Sequence, residues 1–245
     1  MTDPERVPRI GRLLDRLPDD AWEESPHRRP YPRSDDPSTR PVVLVHGAAG
    51  SRSNFTGVVP ALRAAGHPVL SVSYGHHGTT GLRTSFTRVR ALLTGIVADA
   101  GRVDLVGHSQ GGLIALAASG TPDLRGKVGR VVGIAGNFRG VCRPRFLPAR
   151  LPLPVPAWSD NLVGSPALVA VLDYTRRSTV PVVQVLSTAD RIVPVDRARA
   201  FLSDDPVSGV PAHRGPVRVL TVTGTAHENL PYSREVGELV AGVLG

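Results

Sequence analysis

From Pro41 onward the chain alternates between two kinds of apolar pattern. Val42–Val45, Val69–Val72, Val103–Val106, Val131–Ile134, Val182–Leu186 and Val217–Val222 are short continuous runs rich in β-branched residues. Between most of them lie longer stretches of mixed polarity: Phe55–Ala65, Thr84–Ala98, Gly111–Ser119, Val195–Leu202 and, at the end, Ser233–Val243. A run that is apolar at every position has no solvent face, which is the signature of a strand covered on both sides. Strands of this kind alternating with helices predict an α/β domain: a mostly parallel sheet of about six strands with helices on both faces. There is no internal repeat and no linker, so residues 41–245 are expected to form one domain.

Two segments break the rhythm. Residues 1–40 hold seven prolines, eight arginines and nine acidic residues, with no convincing strand. They are expected to form an arm, with one short amphipathic helix over Ile10, Leu13, Leu14 and Leu17. Between the fourth and fifth runs, residues 139–166 contain six prolines and four arginines. Proline removes a donor and breaks helices, so this stretch is expected to be a lid, a cleft-lining insertion or a packed surface excursion.

Composition narrows the class. The chain has 245 residues, 41% of them hydrophobic and 20% charged, enough to bury a core without staples. Cys142 stands alone, which excludes an internal disulfide framework and a cysteine-built metal site. No run of eighteen apolar residues occurs. Met1–Leu17 is charged throughout, without the apolar centre of a signal peptide, so a soluble, cytoplasmic protein is expected. The formal charge is +8, and Lys127 is the sole lysine among 29 basic residues. That balance favours acidic partners, yet no RNP motif, zinc finger or basic helix accompanies it. Nucleic acid is therefore not an expected partner.

The chemistry concentrates at three loops. Gly107-His-Ser-Gln-Gly111 matches G-x-S-x-G. The pattern alone is weak, but here an apolar strand runs into it and a Gly/Ala-rich helix leaves it. That is the strand–turn–helix of a nucleophile elbow, with glycines where a Cβ would clash. A serine hydroxyl needs an oriented base to remove its proton. Of eight histidines, His227 follows the last apolar run and precedes the final helix. His46 and His108 read as packing or shaping residues, and His76 and His77 as a solvated turn that could line a cleft. Asp190 closes Val182-Val-Gln-Val-Leu-Ser-Thr-Ala-Asp at a strand's carboxyl end, with N-capping as its plainer role. Asp196, its rival, lies inside the following helix. The order Ser109, Asp190, His227 is Ser…Asp…His. For the oxyanion, the backbone N–H of Gln110 and that of Ala48, in the small-residue turn His46-Gly-Ala-Ala-Gly50, are the candidate donors. No Gly-Lys-Ser/Thr follows that turn, which removes a phosphate-binding loop. No cofactor and no metal is expected.

These residues support a resemblance. The chain resembles the α/β-hydrolases, in particular the small bacterial lipase group of Bacillus lipase A and the actinobacterial class 2 triacylglycerol lipases. The matching pieces are Val43-Leu-Val-His-Gly-Ala-Ala-Gly with Asn54-Phe-Thr-Gly, Val106-Gly-His-Ser-Gln-Gly-Gly, Ile134-Ala-Gly-Asn, Gly164-Ser-Pro-Ala-Leu, Leu186-Ser-Thr-Ala-Asp-Arg-Ile-Val, Thr225-Ala-His and Tyr232-Ser. The resemblance implies a triad of Ser109, Asp190 and His227, oxyanion donors Ala48 and Gln110, and hydrolysis of lipid or other acyl esters. Members are commonly secreted and the smallest lack a lid, so the missing signal peptide and the 139–166 insertion are departures. Phe146 and Trp158 in the insertion are candidate acyl contacts. Arg139, Arg143, Arg145 and Arg150 offer transient contact with an anionic lipid interface, with solvated charge as the blander role. A thioesterase or acyltransferase on the same triad is the nearest rival. A non-catalytic basic binding protein on a hydrolase scaffold is the rival of another class, and nothing in the sequence specifies an oligomeric state.

Overall fold

The computed structural model describes residues 33–34, 36–143, 153, 155–199, 201, 203–204 and 212–245. Its strands are β1 (Val42–Val45), β2 (Val69–Val72), β3 (Val103–His108), β4 (Val128–Ile134), β5 (Val182–Ser187) and β6 (Val217–Val222). They form a six-stranded sheet in the order β2-β1-β3-β4-β5-β6, and every pairing is parallel. Of the predicted runs, β1, β3, β4 and β5 became the central strands, and β2 and β6 form the edges; β1, β3 and β5 are buried at every position, as a sheet covered on both faces requires.

Successive side chains along a strand point to opposite faces, and the core divides accordingly. Val43 and Val45 join one cluster with Leu105, Leu113 and Val131. Val42 and Leu44 join the other with Val106, Val132 and Val185. Helices α1 (Val58–Ala64) and α7 (Arg234–Leu244) pack together over the second cluster. Helices α2 (Leu82–Ala100), α3 (Gln110–Ser119) and α5 (Pro166–Thr175) cover the first, separated along the chain by the short α4 (Pro156–Asp160); α6 (Val195–Arg199) follows β5. All ten residues of α3 are buried, because this helix sits against β3 and β4 with α2 and α5 outside it.

Helix α5 was not anticipated by the apolar pattern, although its start signals are in the sequence. Ser165 caps it, accepting from the N–H of Leu168 at 3.0 Å, and Pro166 occupies the first turn. Proline here begins a helix, where the density of prolines just before it suggested only a break. The described part of the insertion is also tightly packed. Val155 and Ala157 are fully buried, the Val141 and Val163 N–H groups close a small bridge at 2.8 and 3.1 Å, and Asp160 Oδ2 accepts from the Leu82 N–H at 2.8 Å at the start of α2. These residues are an integral wall of the domain. Arg139 is buried and donates to the Ser203 carbonyl at 2.7 Å, so it does not face a lipid interface. Phe146, Arg145, Arg150 and the expected helix over Ile10–Leu17 lie outside the described residues. At the end of the arm, Arg40 pairs with Asp104 of β3 at 3.0 Å in a buried site. Among the described residues, no helix is long and apolar enough to cross a membrane.

Candidate active site

β3 ends at His108, and Ser109 turns the chain into α3 with φ 52° and ψ −122°. A non-glycine residue there costs on the order of 1–3 kcal/mol and persists only where its surroundings hold it. They do: the Ser109 N–H donates to the Ile134 carbonyl at 3.0 Å, and its own carbonyl accepts from Gly112 at 3.0 Å and Asn137 at 3.3 Å. The flanking glycines are sterically required. A Cβ on Gly107 would enter the backbone of Gly111 and Gly112, and one on Gly111 would strike the carbonyls of Val45 and His46. The elbow is therefore pressed directly against the end of β1.

Asp190 and His227, 37 positions apart, meet at the carboxyl ends of β5 and β6. Asp190 Oδ2 accepts from His227 Nδ1–H at 2.7 Å, with both side chains buried. The other carboxylate oxygen accepts from the N–H groups of Ile192 and Val193, each at 2.8 Å, so the carboxylate cannot rotate without losing backbone bonds. Asp196 is exposed on α6. His227 opens a 3-10 turn, His227–Tyr232, latched by Gly57 N–H to Pro231 O at 3.2 Å and Asn54 Nδ2 to Tyr232 Oη at 2.5 Å.

His108 links this pair to the elbow. Its ring lies 4.8 Å from that of His227, and its Nε2–H donates to the His227 carbonyl at 3.1 Å. Since a carbonyl only accepts, the proton of the neutral ring is on Nε2. Burial, reinforced by the neighbouring His227, pushes the His108 imidazole down to about 3, so it stays neutral and puts no competing positive charge beside His227.

The turn 46–50 is braced from below. His46 stacks on Tyr74 at 4.4 Å, and the Tyr74 hydroxyl donates to the His46 carbonyl at 2.6 Å. Burial holds the Tyr74 phenol well above its usual range, keeping that donor protonated. Ala48 is half-buried. As the first residue of α3, Gln110 has no intrahelical acceptor for its N–H.

The Gln110 side chain is also engaged, which sequence reasoning missed. Its Nε2 donates to the Gly78 carbonyl at 3.1 Å, and its Oε1 accepts from Asn161 Nδ2 at 2.5 Å. Asn161 Oδ1 in turn accepts from Asn137 Nδ2 at 2.7 Å. Asn137 belongs to a quoted motif, whereas nothing about Asn161 in its proline-rich setting marks it. Gln110→Ala would leave buried partners unsatisfied, at about 1–3 kcal/mol. Its melting temperature is expected to fall by roughly 2–10 °C, with ester turnover reduced far less than in a Ser109 variant. Equal losses of turnover in the two would place the Gln110 side chain in the reaction. Trp158 is 38% exposed on α4, next to this network. Among the described residues, no group of three His, Cys, Asp or Glu side chains is placed to hold a metal ion.

No curated protein matches this sequence. Solved structures of similar fold include a Paleococcus ferrophilus monoacylglycerol lipase, 18% identical, with TM-score 0.60 over 84% of this chain and 95% of the other. Est1E from Butyrivibrio proteoclasticus is 21% identical, with TM-score 0.57 over 86% and 87%. Aspergillus fumigatus lipase B is 19% identical, with TM-score 0.67 over 87% of this chain and 54% of its own. At such identities these likenesses establish the fold and not a shared substrate. The model of the alpha/beta hydrolase family matches residues 42–242, and the chain belongs to that family.

Proposed function

We propose that the protein is a serine carboxylic-ester hydrolase, a lipase or esterase acting on lipid or other acyl esters. The observation that carries this reading is the buried 2.7 Å contact of Asp190 with His227, tied to the strained Ser109 by the side chain of His108, the residue that precedes it. In this mechanism Ser109 Oγ attacks the ester carbonyl carbon while His227 Nε2 takes the hydroxyl proton. Asp190 fixes the Nδ1–H tautomer, which leaves Nε2 free to accept, and steadies the imidazolium that forms. The N–H groups of Ala48 and Gln110 hold the oxyanion. Collapse expels the alcohol with the proton from His227, and water then cleaves the acyl–Ser109 ester by the same steps in reverse roles.

Lipase and esterase neighbours support an ester substrate, and the motifs quoted above support placement in the small bacterial lipase group. Treatment with a fluorophosphonate and mapping of the adduct by mass tests the core of the reading. The label is expected on Ser109. An unlabelled protein would favour a binding role on a hydrolase scaffold, and transfer of acyl groups to added alcohols in preference to water would favour an acyltransferase.

The described residues of the insertion, 139–143, 153 and 155–166, form one border of the acyl site in this reading, because the segment leaves β4 at the sheet edge that presents Ser109. Trp158→Ala is expected to lower the preference for long over short acyl chains several-fold, at about 25 cal/mol per Å² of lost apolar contact. An unchanged C2-to-C16 profile would remove Trp158 from the site.

A further inference from the structure

A concavity outside the proposed reaction steps adjoins the turn 46–50. Its volume is about 230 Å³, and His46, Ser73, Tyr74, His76, His77 and Arg88 line it. One wall is the turn Gly75–Gly78, in which all four residues have positive φ: 56°, 48°, 58° and 68°. Left-handed backbone is unfavourable for a residue with a Cβ, so His76 and His77 stay there only because the turn is pinned. The N–H groups of Gly78, Thr79 and Thr80 donate to Tyr74, Gly75 and Gly75 at 2.8, 3.0 and 3.1 Å, and Thr79 Oγ1 donates to the His76 carbonyl at 2.6 Å. The turn is fastened to the proposed catalytic machinery as well. His77 Nδ1–H donates to the Gly50 carbonyl at 2.9 Å, and Gln110 Nε2 holds the Gly78 carbonyl. Strain retained in this way clusters at functional sites.

Among the described residues that line this cavity, the charge is one-sided: Arg88 is present and no carboxylate is. Residues 41–98 contain no Asp or Glu, against 21 in the whole chain, and five arginines: Arg52, Arg63, Arg83, Arg88 and Arg90. Arg90 is occupied by Asp123 at 2.8 Å. Arg88 is exposed and has no carboxylate partner among the described residues. Asp160, the carboxylate that reaches the start of α2, is turned onto the Leu82 N–H. A polar wall that carries the Arg88 guanidinium suits an anionic oxygen group far better than an alkyl chain. A guanidinium in particular presents a donor fork that matches carboxylate or phosphate.

We propose that this cavity binds a carboxylate or phosphate group of the substrate, making the enzyme selective for esters that carry a fixed negative charge. The proposal rests on the ester-hydrolase reading above. Its test compares mono-p-nitrophenyl glutarate, whose acyl chain ends in a carboxylate, with the neutral p-nitrophenyl valerate. The wild-type kcat/KM ratio of glutarate to valerate ester is expected to exceed one. It should fall about tenfold in Arg88→Ala, the loss expected of one charge-assisted hydrogen bond, and further in Arg88→Glu. A ratio that is the same in all three proteins overturns the proposal. Calorimetry on the Ser109→Ala protein, with glutarate and separately with inorganic phosphate, reads the cavity without turnover. Binding that disappears in the Ser109→Ala, Arg88→Ala double variant supports it. No binding by the parent variant overturns it even if neutral esters are hydrolysed. Arg88-dependent binding in a protein that turns over neither ester keeps the anion site and removes ester hydrolysis instead. Phosphate that competes with the glutarate ester supports a substrate subsite, and phosphate that changes valerate turnover without competing overturns it in favour of a separate effector.

Discussion

Ser109→Ala is expected to lower ester turnover by about 10⁴–10⁶ in kcat, the usual consequence of removing a triad nucleophile, while the domain stays folded. The residual rate comes from binding and the oxyanion donors alone. Comparison with Ser109→Gly separates chemistry from strain. Both variants lose the hydroxyl, but only glycine loses the Cβ that makes φ 52° unfavourable. That Cβ also lies in the crowded region where any side chain on Gly47 would meet it. Ser109→Gly is therefore expected to be equally inactive and to melt above Ser109→Ala, by an amount corresponding to roughly 1 kcal/mol. Near-normal hydrolysis of p-nitrophenyl butyrate by either purified variant would remove Ser109 from the mechanism. A lower melting temperature for the glycine variant would show that the elbow is not strained.

Asp190→Asn is expected to lower kcat by about 10⁴, through the wrong tautomer of the base. The geometry gives the reason. One oxygen of Asp190 accepts two backbone N–H groups, from Ile192 and Val193. An asparagine keeps those bonds only by placing its carbonyl there, which turns its NH₂ toward His227 Nδ1. The imidazole must then accept at Nδ1 and carry its proton on Nε2, where it cannot take one from Ser109. Asp196→Asn, on an exposed position of α6, is expected to stay within a few-fold of wild type. The opposite ranking in steady-state assays would move the acid to Asp196. A matching fall in melting temperature for Asp190→Asn would mark collapse of the loop, since the argument above requires a folded protein with a misassigned proton.

Much of the scaffold was legible because it is set by local rules. Runs dominated by β-branched apolar residues mark strands even at the sheet edges, so β1, β2 and β6 were read to the residue and β3, β4 and β5 extended by only one to three. The strand–turn–helix at Ser109 was legible for a similar reason. Its glycines are required by contacts within a few residues and with the adjacent strand, which a motif encodes directly. Helix α5 was hidden by composition: the prolines before it read as a breaker, although the Ser165-Pro166 pair is a start signal.

What the order of residues determined, then, is the α/β alternation, the position of the serine turn and a short choice of acids and bases. Only the tertiary structure decided which of them meet. Asp190 reaches His227 across 37 positions, His108 reaches it across 119, and Asn161 reaches Gln110 across 51. Each of these bonds depends on parallel crossovers that return every strand's carboxyl end to one edge of the sheet, so the partners are neighbours in space through topology and not through spacing. The polar network behind Gln110 and the left-handed turn Gly75–Gly78 are products of the same edge. Buried polar groups there must find partners, and which partners stand within hydrogen-bond reach is fixed by packing that no local pattern records.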